Sequence, residues 1–286
     1  MGNPKLRVKA SGVGGSGYAL PARTGETFKW VKNADGEEIK ARLVDGKIVI
    51  VPGVTTILRA EAKDNLIQWA ADQTARWAAE HWSELGRTSD ERAYSRARYR
   101  WRDYRDERAE LGTRVHEWVE QELTGGTDHP VGLNEEELLA IQNWQDLCFF
   151  NSVKPILTEF TLYNSVEGYA GTADFLLEFN GRTSLGDLKT SNGIYDAHRM
   201  QLVALSKCDI LLVEVLGDWV EIPAPQWDTL DLFHVNARGW SVDTIDPDEV
   251  EYLYENFLHY LGVVRNTKAL KDLRRAKERG VASAEG

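Results

Sequence analysis

Residues Gly168 to Thr190 read GYAGTADFLLEFNGRTSLGDLKT, and this stretch decides the fold around which the rest of the chain is arranged. At its centre, Asn180-Gly181 lies between two runs of apolar and β-branched residues. That pattern is typical of a tight hairpin, because both turn residues tolerate positive φ. We therefore predict two adjacent antiparallel strands. If the two turn residues are the whole loop, counting outward pair by pair places Asp174 opposite Asp187.

The predicted hairpin brings acidic side chains and a lysine together. Side chains alternate along a strand, so Asp187 and Lys189 share one face. Carboxylates bind Mg²⁺ or Mn²⁺, and such an ion polarises a phosphodiester and makes a bound water more acidic. A lysine beside it can orient the water or balance charge on the phosphate. The opposing interpretation is that D-x-K is a common tripeptide and that Asp174 merely caps or ends a strand.

Length and composition bound the class of protein. At 286 residues and 42% hydrophobic, the chain can bury a full core, as one elaborated domain or one domain with a helical annex. It has no apolar run of membrane length and no signal-peptide pattern, so we expect a soluble cytoplasmic protein without membrane contact. Its two cysteines, Cys148 and Cys208, cannot build a four-thiolate cluster or a disulfide framework. We interpret them as buried thiols in a reducing compartment.

The charge distribution gives a mixed signal about nucleic acid. A net charge of −11 argues mildly against a DNA-binding surface over the whole molecule, because phosphate contacts need cations. Two segments are nevertheless locally basic, Arg87 to Arg108 and Arg265 to Arg279. Such runs are more often solvated helix faces with internal ion pairs than binding surfaces. They are therefore secondary support for DNA contact.

Hydrophobic periodicity predicts the other elements. Short alternations divided by Asp-Gly pairs predict small hairpins between Tyr18 and Val51, after a loosely ordered arm. The predicted helices are Asn65–His81, Leu111–Leu123, Glu135–Phe150, Ala197–Cys208 and Pro247 to about Val264. The predicted later strands are Ile156–Tyr163, Ile210–Leu216, Trp219–Ile222 and Leu232–Val235. Trp69, Trp77 and Trp82 could stack on unpaired bases, but tryptophans at helical spacing more often pack in a core.

His116 is the notable residue of the helix at Leu111–Leu123. It begins the pattern H-E-x-x-E, which lacks the second histidine of a zinc peptidase. A single histidine on a helix is more often structural than a ligand. Its interpretation as a ligand therefore depends on whether the fold brings it to Asp174 and Asp187.

Together these signatures resemble the PD-(D/E)XK nuclease superfamily, and within it the RecB-like exonucleases of phage type. The resemblance covers roughly Leu111 to Leu216. It rests on G-T-R-V-H ending at His116, Glu159 in the next strand, G-T-A-D ending at Asp174, G-D-L-K ending at Lys189, and in part Gln201. It implies an α/β (α+β) fold with a restriction-endonuclease-like αβββαβ core, a mixed central sheet and an added N-terminal helical region.

Carried over by position, the resemblance implies a role for each of these residues. His116, Asp174, Asp187 and the Leu188 carbonyl would hold Mg²⁺ or Mn²⁺. Lys189 would be the catalytic lysine, and Gln201 would place the substrate or the lysine. Glu159 would lie behind the ligands or bind a second metal.

Two departures from the family pattern stand out. Members often show Q-x-x-x-Y, whereas this chain has Leu205 at the aromatic position, so that contact to nucleic acid is missing or supplied elsewhere. CRISPR-associated members usually hold an iron-sulfur cluster on four cysteines, which this chain lacks. The resemblance is therefore to the branch without the cluster.

The leading hypothesis is a metal-dependent deoxyribonuclease, most simply an exonuclease that acts on linear single- or double-stranded DNA and leaves a 5′-phosphate. DNA recombination, repair or phage DNA processing would be its setting, in the host cytoplasm if the chain is phage-encoded. A recombinase or helicase partner stays open. The alternatives are a structure- or sequence-specific endonuclease with the same residues, a nucleic-acid-binding or protein-interaction module without catalysis, and coincidence. Coincidence predicts that His116 lies far from Asp174.

This interpretation divides the chain into four segments. They are an N-terminal arm with small hairpins (1–53), a helical region (54–110), the nuclease core (111–264) and a basic C-terminal tail (265–286).

Overall fold

The structure is a computed structural model that describes residues 12–13, 17–19, 29–32, 38–44, 47–60, 64–215 and 218–284. Side chains are described for 51–60, 67–212 and 221–275. The strands are β1 (Gly12–Val13), β2 (Gly17–Ala19), β3 (Lys29–Lys32), β4 (Glu38–Val44), β5 (Lys47–Val51), β6 (Val153–Asn164), β7 (Tyr169–Phe179), β8 (Arg182–Lys189), β9 (Ile210–Val215), β10 (Asp218–Pro223), β11 (Thr229–Asn236) and β12 (Gly239–Thr244). The helices are α1 (Val54–Leu58), α2 (Asp64–Glu80), α3 (Trp82–Leu85), α4 (Asp90–Arg98), α5 (Arg100–Thr124), α6 (Glu135–Phe150), α7 (Asp196–Ser206) and α8 (Pro247–Ala284).

A seven-stranded mixed sheet, in the order β10-β9-β6-β7-β8-β11-β12, forms the centre of the molecule. The predicted α/β class is therefore confirmed. The hairpin at Asn180-Gly181 is also confirmed, since β7 and β8 pair antiparallel and Phe179 faces Arg182. Both turn residues have positive φ, 49° and 80°, as an Asn-Gly turn requires. The last pair of this ladder is Phe175 with Gly186, so Asp174 and Asp187 follow one step further out.

The route of the chain after α7 shapes the sheet. The next strand, β9, pairs antiparallel with β6, and only β11 returns to lie parallel to β8. The connection from β8 to its parallel neighbour thus includes α7 and the β9-β10 hairpin. Strand β12, which was not predicted, extends the sheet by antiparallel pairing with β11.

Helices cover both faces of this sheet. One cluster of buried residues joins α1, α7 and α8 to the sheet, with Phe160, Tyr169 and Phe257 among its largest members. A second cluster joins α5 and α6 to the opposite face around Trp144 and Phe175. Each helix contributes its apolar face, as the 3.6-residue period of the sequence predicts. The result is a three-layer α/β/α arrangement of the described elements.

The start of α6 is fixed by a capping box. The Asn134 side chain accepts a hydrogen bond from the Glu137 backbone N–H, and the Glu137 carboxylate accepts one from the Asn134 N–H. The same carboxylate is buried and pairs with the Arg114 guanidinium of α5 over 2.9 Å. In G-T-R-V-H the arginine therefore joins α5 to α6.

The N-terminal strands were predicted as small hairpins. Their described backbone forms antiparallel hairpins, β1-β2, β3-β4 and β4-β5, and these join in one five-stranded sheet in the order β1-β2-β5-β4-β3. The additional contact is the pairing of β2 with β5, which are distant in sequence and therefore invisible to local patterns. The predicted loose arm, residues 1–18, lies largely outside the described residues.

The predicted helix at Asn65–His81 is confirmed as α2, but its tryptophans do not enter a buried core. Trp69 and Trp77 are half-buried, and Trp82 is 75% exposed. Trp77 stacks on His81 at 4.6 Å between ring centroids.

The last helix is longer than predicted. We expected it to end near Val264, yet α8 continues to Ala284 and takes in most of the basic segment. From Arg265 to Arg275 the described side chains are exposed. Over these described side chains the extension packs no apolar face on the body, so hydrophobic periodicity did not reveal it. No described helix is both long enough and apolar enough to cross a membrane.

Candidate active site

The site lies where β7 and β8 part. Beyond the Phe175–Gly186 pair, the Asp174 carboxylate accepts a hydrogen bond from the Leu188 backbone N–H over 2.7 Å. Beyond the last backbone pair of the ladder, this side-chain hydrogen bond is what joins the two strands. The strand ends are held slightly apart, and polar side chains occupy the opening.

Three acidic residues occupy neighbouring positions on three adjacent strands. By the registers of the flanking pairs, Asp174 lies between Glu159 of β6 and Asp187 of β8. Glu159 has a φ of 48°, which is unusual for a residue with a Cβ and re-aims its side chain. One extra residue in β6, between Pro155 and Leu157, shifts the register just before it. Strain of this kind gathers at functional sites, so the backbone geometry supports Glu159 as a candidate site residue.

His116 reaches the same opening from α5. Its Nδ1 lies 3.6 Å from Asp174 Oδ2. The large separation that the hypothesis of coincidence predicted is not observed between these two residues. Burial is the main cause that lowers the pKa of His116, and Lys189 adds to it, while Asp187 and Glu159 oppose it. The imidazole is therefore held neutral near pH 7, with a lone pair to offer.

Lys189 and Asp187 form a buried ion pair. The side chains are 15% and 1% exposed. Burial lowers the pKa of Lys189, but the carboxylates of Asp187 and Asp174 raise it by more, so the pKa lies above its ordinary value. Lys189 is thus an ammonium at neutral pH. It can neutralise negative charge but cannot accept a proton.

Gln201 connects this pair to α7. Its Nε2 donates to Asp187 Oδ1 over 3.0 Å, and its Oε1 accepts from Lys189 Nζ at 3.5 Å. The amide therefore fixes both members of the ion pair. Leu205, one helical turn further on, is 1% exposed and packs toward Gly171, where an added Cβ would come within 2.6 Å of the leucine. The residue at the aromatic position of the family pattern is accordingly a core residue here.

The donor chemistry fits a hard divalent cation, but the side chains are not arranged around one. Among the residues whose side chains are described, no three His, Cys, Asp or Glu form a group that could hold a metal ion. His116 and Asp174 meet, whereas Asp187 is turned to Lys189. The buried Oδ2 of Asp187 contacts the Lys189 ammonium, and its Oδ1 accepts from Gln201, so a cation would have to compete with Lys189 for this carboxylate.

Two glycines of the signatures are required by close packing. A Cβ at Gly186 would come within 2.6 Å of the Phe175 ring and 2.8 Å of the Phe233 ring. A Cβ at Gly112 would lie 3.0 Å from Thr190 Oγ1. Because Gly186 has no side chain, the two aromatic rings can pack against β8. Because Gly112 has none, α5 can approach the strand that carries Lys189.

Three residues of the surroundings were given no role in the site from the sequence. Glu120 lines the small cavity beside His116 and Asp174, one turn after His116 on α5. His198 lies one turn before Gln201, and burial first and Lys189 second lower its pKa to about 4. His234 pairs with Lys189 across the parallel β8-β11 ladder and contacts the Ser191 carbonyl over 2.7 Å. The helical spacing to His116 and to Gln201 could have pointed to the first two, whereas His234 depends on the non-local β11 pairing.

Comparison with models of known protein families and with curated proteins yields no match for this chain.

Proposed function

We propose that this chain is a divalent-metal-dependent deoxyribonuclease, with Asp174 and Asp187 as the central acids and Lys189 as the catalytic cation. The observation that carries the proposal is the meeting of elements distant in sequence at one opening. Helix α5 brings His116, β6 brings Glu159, β7 and β8 bring the two aspartates and the lysine, and α7 brings Gln201. This set resembles that of the PD-(D/E)XK nucleases, and a restriction-endonuclease-like core is part of the proposal.

His116, Asp174, Asp187 and the Leu188 carbonyl would hold Mg²⁺ or Mn²⁺. When bound at such a site, the ion supplies Lewis-acid polarisation of the phosphate and a more acidic water. In the hydrolysis itself, water oxygen bonds to phosphorus, the P–O3′ bond breaks, and the 3′-oxygen leaves and takes up a proton. The products are a 5′-phosphate and a 3′-hydroxyl.

The residues of the chain have distinct parts in this reaction. The Lys189 ammonium stabilises negative charge as it builds up on the phosphate, and its raised pKa keeps it charged throughout. Gln201 holds Asp187 and Lys189 in their relative positions. Neutral His116 offers a nitrogen lone pair beside Asp174. Glu159 lies next to Asp174 on the neighbouring strand and is suited to support that acid or to hold a second cation.

One observation favours a second candidate, a nucleic-acid-binding module of this fold that does not cut. The ion pair with Lys189 turns Asp187 away from the pair formed by His116 and Asp174. Cleavage requires that a cation compete with the Lys189 ammonium for Asp187. A chain in which the ion pair always wins would bind without hydrolysing.

The first experiment compares end-labelled linear DNA, single- and double-stranded, with a covalently closed circle in Mg²⁺, Mn²⁺ and EDTA. Wild type is set beside Lys189→Ala and a control, Lys154→Ala, which removes a 65% exposed lysine from β6. We expect metal-dependent loss of linear DNA that Lys189→Ala abolishes and Lys154→Ala keeps. Cutting of the circle as well would identify the endonuclease, and absence of lysine-dependent cutting would favour the binding module.

Metal binding is measured separately, by titration of Mn²⁺ calorimetrically into wild type, Asp174→Asn and Asp187→Asn. We expect the heat of binding to be lost or strongly reduced in both variants. Equal binding by all three proteins would contradict the assignment of the acids, whatever the cleavage assay shows.

A further inference from the structure

A ladder of aromatic rings and guanidinium groups lies where α4 meets α5. The Arg98 guanidinium lies 5.6 Å from the Tyr94 ring centre and 5.3 Å from that of Tyr99. Arg102 lies 4.8 Å from Tyr99 and 5.3 Å from Trp101, and Arg105 lies 5.5 Å from Trp101. We call these residues the arginine–aromatic ladder: Tyr94, Arg98, Tyr99, Arg102, Trp101 and Arg105. Tyr94 and Tyr99 are 61% and 43% exposed.

The ladder contains cations that carboxylates do not neutralise. Among the described side chains, neither Arg98 nor Arg102 forms an ion pair with an acid, in contrast to the neighbouring Arg100 and Arg105. Arg100 pairs with Asp103 and Glu107, so that it resembles an ordinary solvated helix face. Arg98 and Arg102 instead rest on rings, which holds their donors at the surface and available to an anion.

Two arginines of the ladder, Arg102 and Arg105, lie on the same face of α5 as the candidate active site. Arg102, Arg105, Ala109, Gly112 and His116 follow at steps of three or four residues, the spacing of one helix face. The acids of the same helix segment occupy another face, at Asp103, Asp106, Glu107 and Glu110.

A groove continues this face into the site. It has a volume of about 350 Å³, and its lining residues are Ala109, Gly112, Thr113, His116, Glu117, Glu120 and Glu159. Its three carboxylates lie at the end nearest the proposed metal site, so a phosphate that enters there needs the cation that the proposed function supplies. At about 1.5 Å per residue, Arg102 lies about 21 Å along the axis from His116. That span corresponds to about six nucleotides at the ~3.4 Å rise that one strand has in duplex DNA, and to fewer nucleotides of an extended single strand.

We propose that the arginine–aromatic ladder binds single-stranded DNA and leads it along the α5 groove to the active site. The inference rests on the proposed function for the identity of the ligand. Phosphates pair with Arg98 and Arg102, and unpaired bases stack on the exposed rings, the combination that single-strand-binding surfaces use. It also supplies, from another helix, an aromatic contact of the kind that Leu205 cannot make.

The test is fluorescence anisotropy of a labelled thymidine oligonucleotide in EDTA, so that binding is read without cleavage. We expect Arg98→Gln/Arg102→Gln to weaken binding and to reduce the slope of log K against log salt by about 1.4, at ~0.7 per phosphate contact. Tyr99→Leu/Trp101→Leu should weaken binding about fivefold or more. The matched control, Lys154→Gln/Arg182→Gln, removes two charges near the hairpin turn, at the far end of β7 and β8, and should leave the slope near that of wild type.

Each other outcome overturns the proposal. If the ladder and control variants reduce the affinity and the salt slope equally, the ladder contributes only non-specific electrostatic attraction. Preference for a duplex of the same length, with no effect of the ring substitutions, would exclude stacking on bases. No binding of the oligonucleotide would leave the ladder to a different partner, such as an acidic protein surface.

The proposed function fails or stands independently of this result. If the protein binds the oligonucleotide through the ladder but shows no Lys189-dependent cleavage, the docking surface stands and the nuclease function is refuted. If cleavage depends on Lys189 but the ladder variants bind DNA as tightly as wild type, the nuclease function stands and the docking surface is refuted. Thermal unfolding of each variant confirms that the folded protein is compared.

Discussion

Gln201 Nε2 donates a hydrogen bond to Asp187 Oδ1 across 3.0 Å, and the other end of the same amide lies 3.5 Å from Lys189 Nζ. A single neutral side chain of α7 thus contacts both charges of a buried pair on β8. Because an amide offers a donor and an acceptor at once, neither a carboxylate nor an ammonium could replace it there.

Gln201→Ala should reduce cleavage by about 10- to 100-fold, the usual effect of removing a group that orients a metal ligand. The half-saturating Mg²⁺ concentration should rise, because Asp187 loses the bond that fixes its direction. Gln142→Ala, which removes an exposed glutamine of α6, serves as the control. Unchanged cleavage in Gln201→Ala would show that the amide has no part in the site.

The Asp187–Lys189 pair should be coupled in stability as well as in activity. Lys189→Met leaves a carboxylate that is 1% exposed without its cation, a change of the kind that costs about 3–5 kcal/mol. Asp187→Asn/Lys189→Met removes both charges and should recover much of this loss in urea unfolding. All three proteins, including Asp187→Asn alone, should be inactive. Additive changes in the free energy of unfolding would contradict a direct pair.

Gly186→Ala tests the packing beneath G-D-L-K. The added methyl would lie 2.6 Å from Phe175 and 2.8 Å from Phe233, rings that are themselves enclosed in the core. We expect a loss of about 1–3 kcal/mol in the free energy of unfolding, the cost of overpacking. Gly262→Ala is the control, since nothing lies within 4 Å of a Cβ there and α8 should gain about 0.5–1 kcal/mol. Equal stability of both variants would refute the close contact.

His198 should make the folded protein sensitive to acid. Burial, and secondarily Lys189, lowers its pKa from 6.5 to about 4 in the folded state. The unfolded chain therefore binds the proton first. The stabilising contribution is fully present above pH 6.5 and is lost as pH falls toward 4. His198→Gln should flatten the fall of the urea midpoint across this window, whereas His259→Gln, at an exposed position on α8, should not.

Much of the central layer could be predicted from local patterns. The Asn180-Gly181 turn sets the register of β7 with β8, and Glu135–Phe150 is helical as predicted because its cap and its apolar spacing are both local. The convergence of His116 with Asp174 was a hypothesis from the resemblance, and the structure brings the two to 3.6 Å. The parallel pairing of β11 with β8 was not predicted, since no local pattern reports a partner so far along the chain.

Strict alternation also failed at one point of the sheet. Ala173 and Phe175 are two residues apart and should share a face, yet they belong to clusters on opposite faces. The change occurs at Asp174, beside Glu159 with its positive φ. A sequence pattern does not predict such a change of sheet face, because the backbone conformation produces it and the residue type does not.

The extra residue of β6 limits how this chain can vary in length. Between Pro155 and Leu157 the strand has one residue more than its partner, and every later residue of β6 takes its face from that insertion. Deletion of Ile156 would shift Phe160 and Leu162 out of their core and displace Glu159 from the acids in the same step. Insertions and deletions in this part of β6 should therefore be selected against.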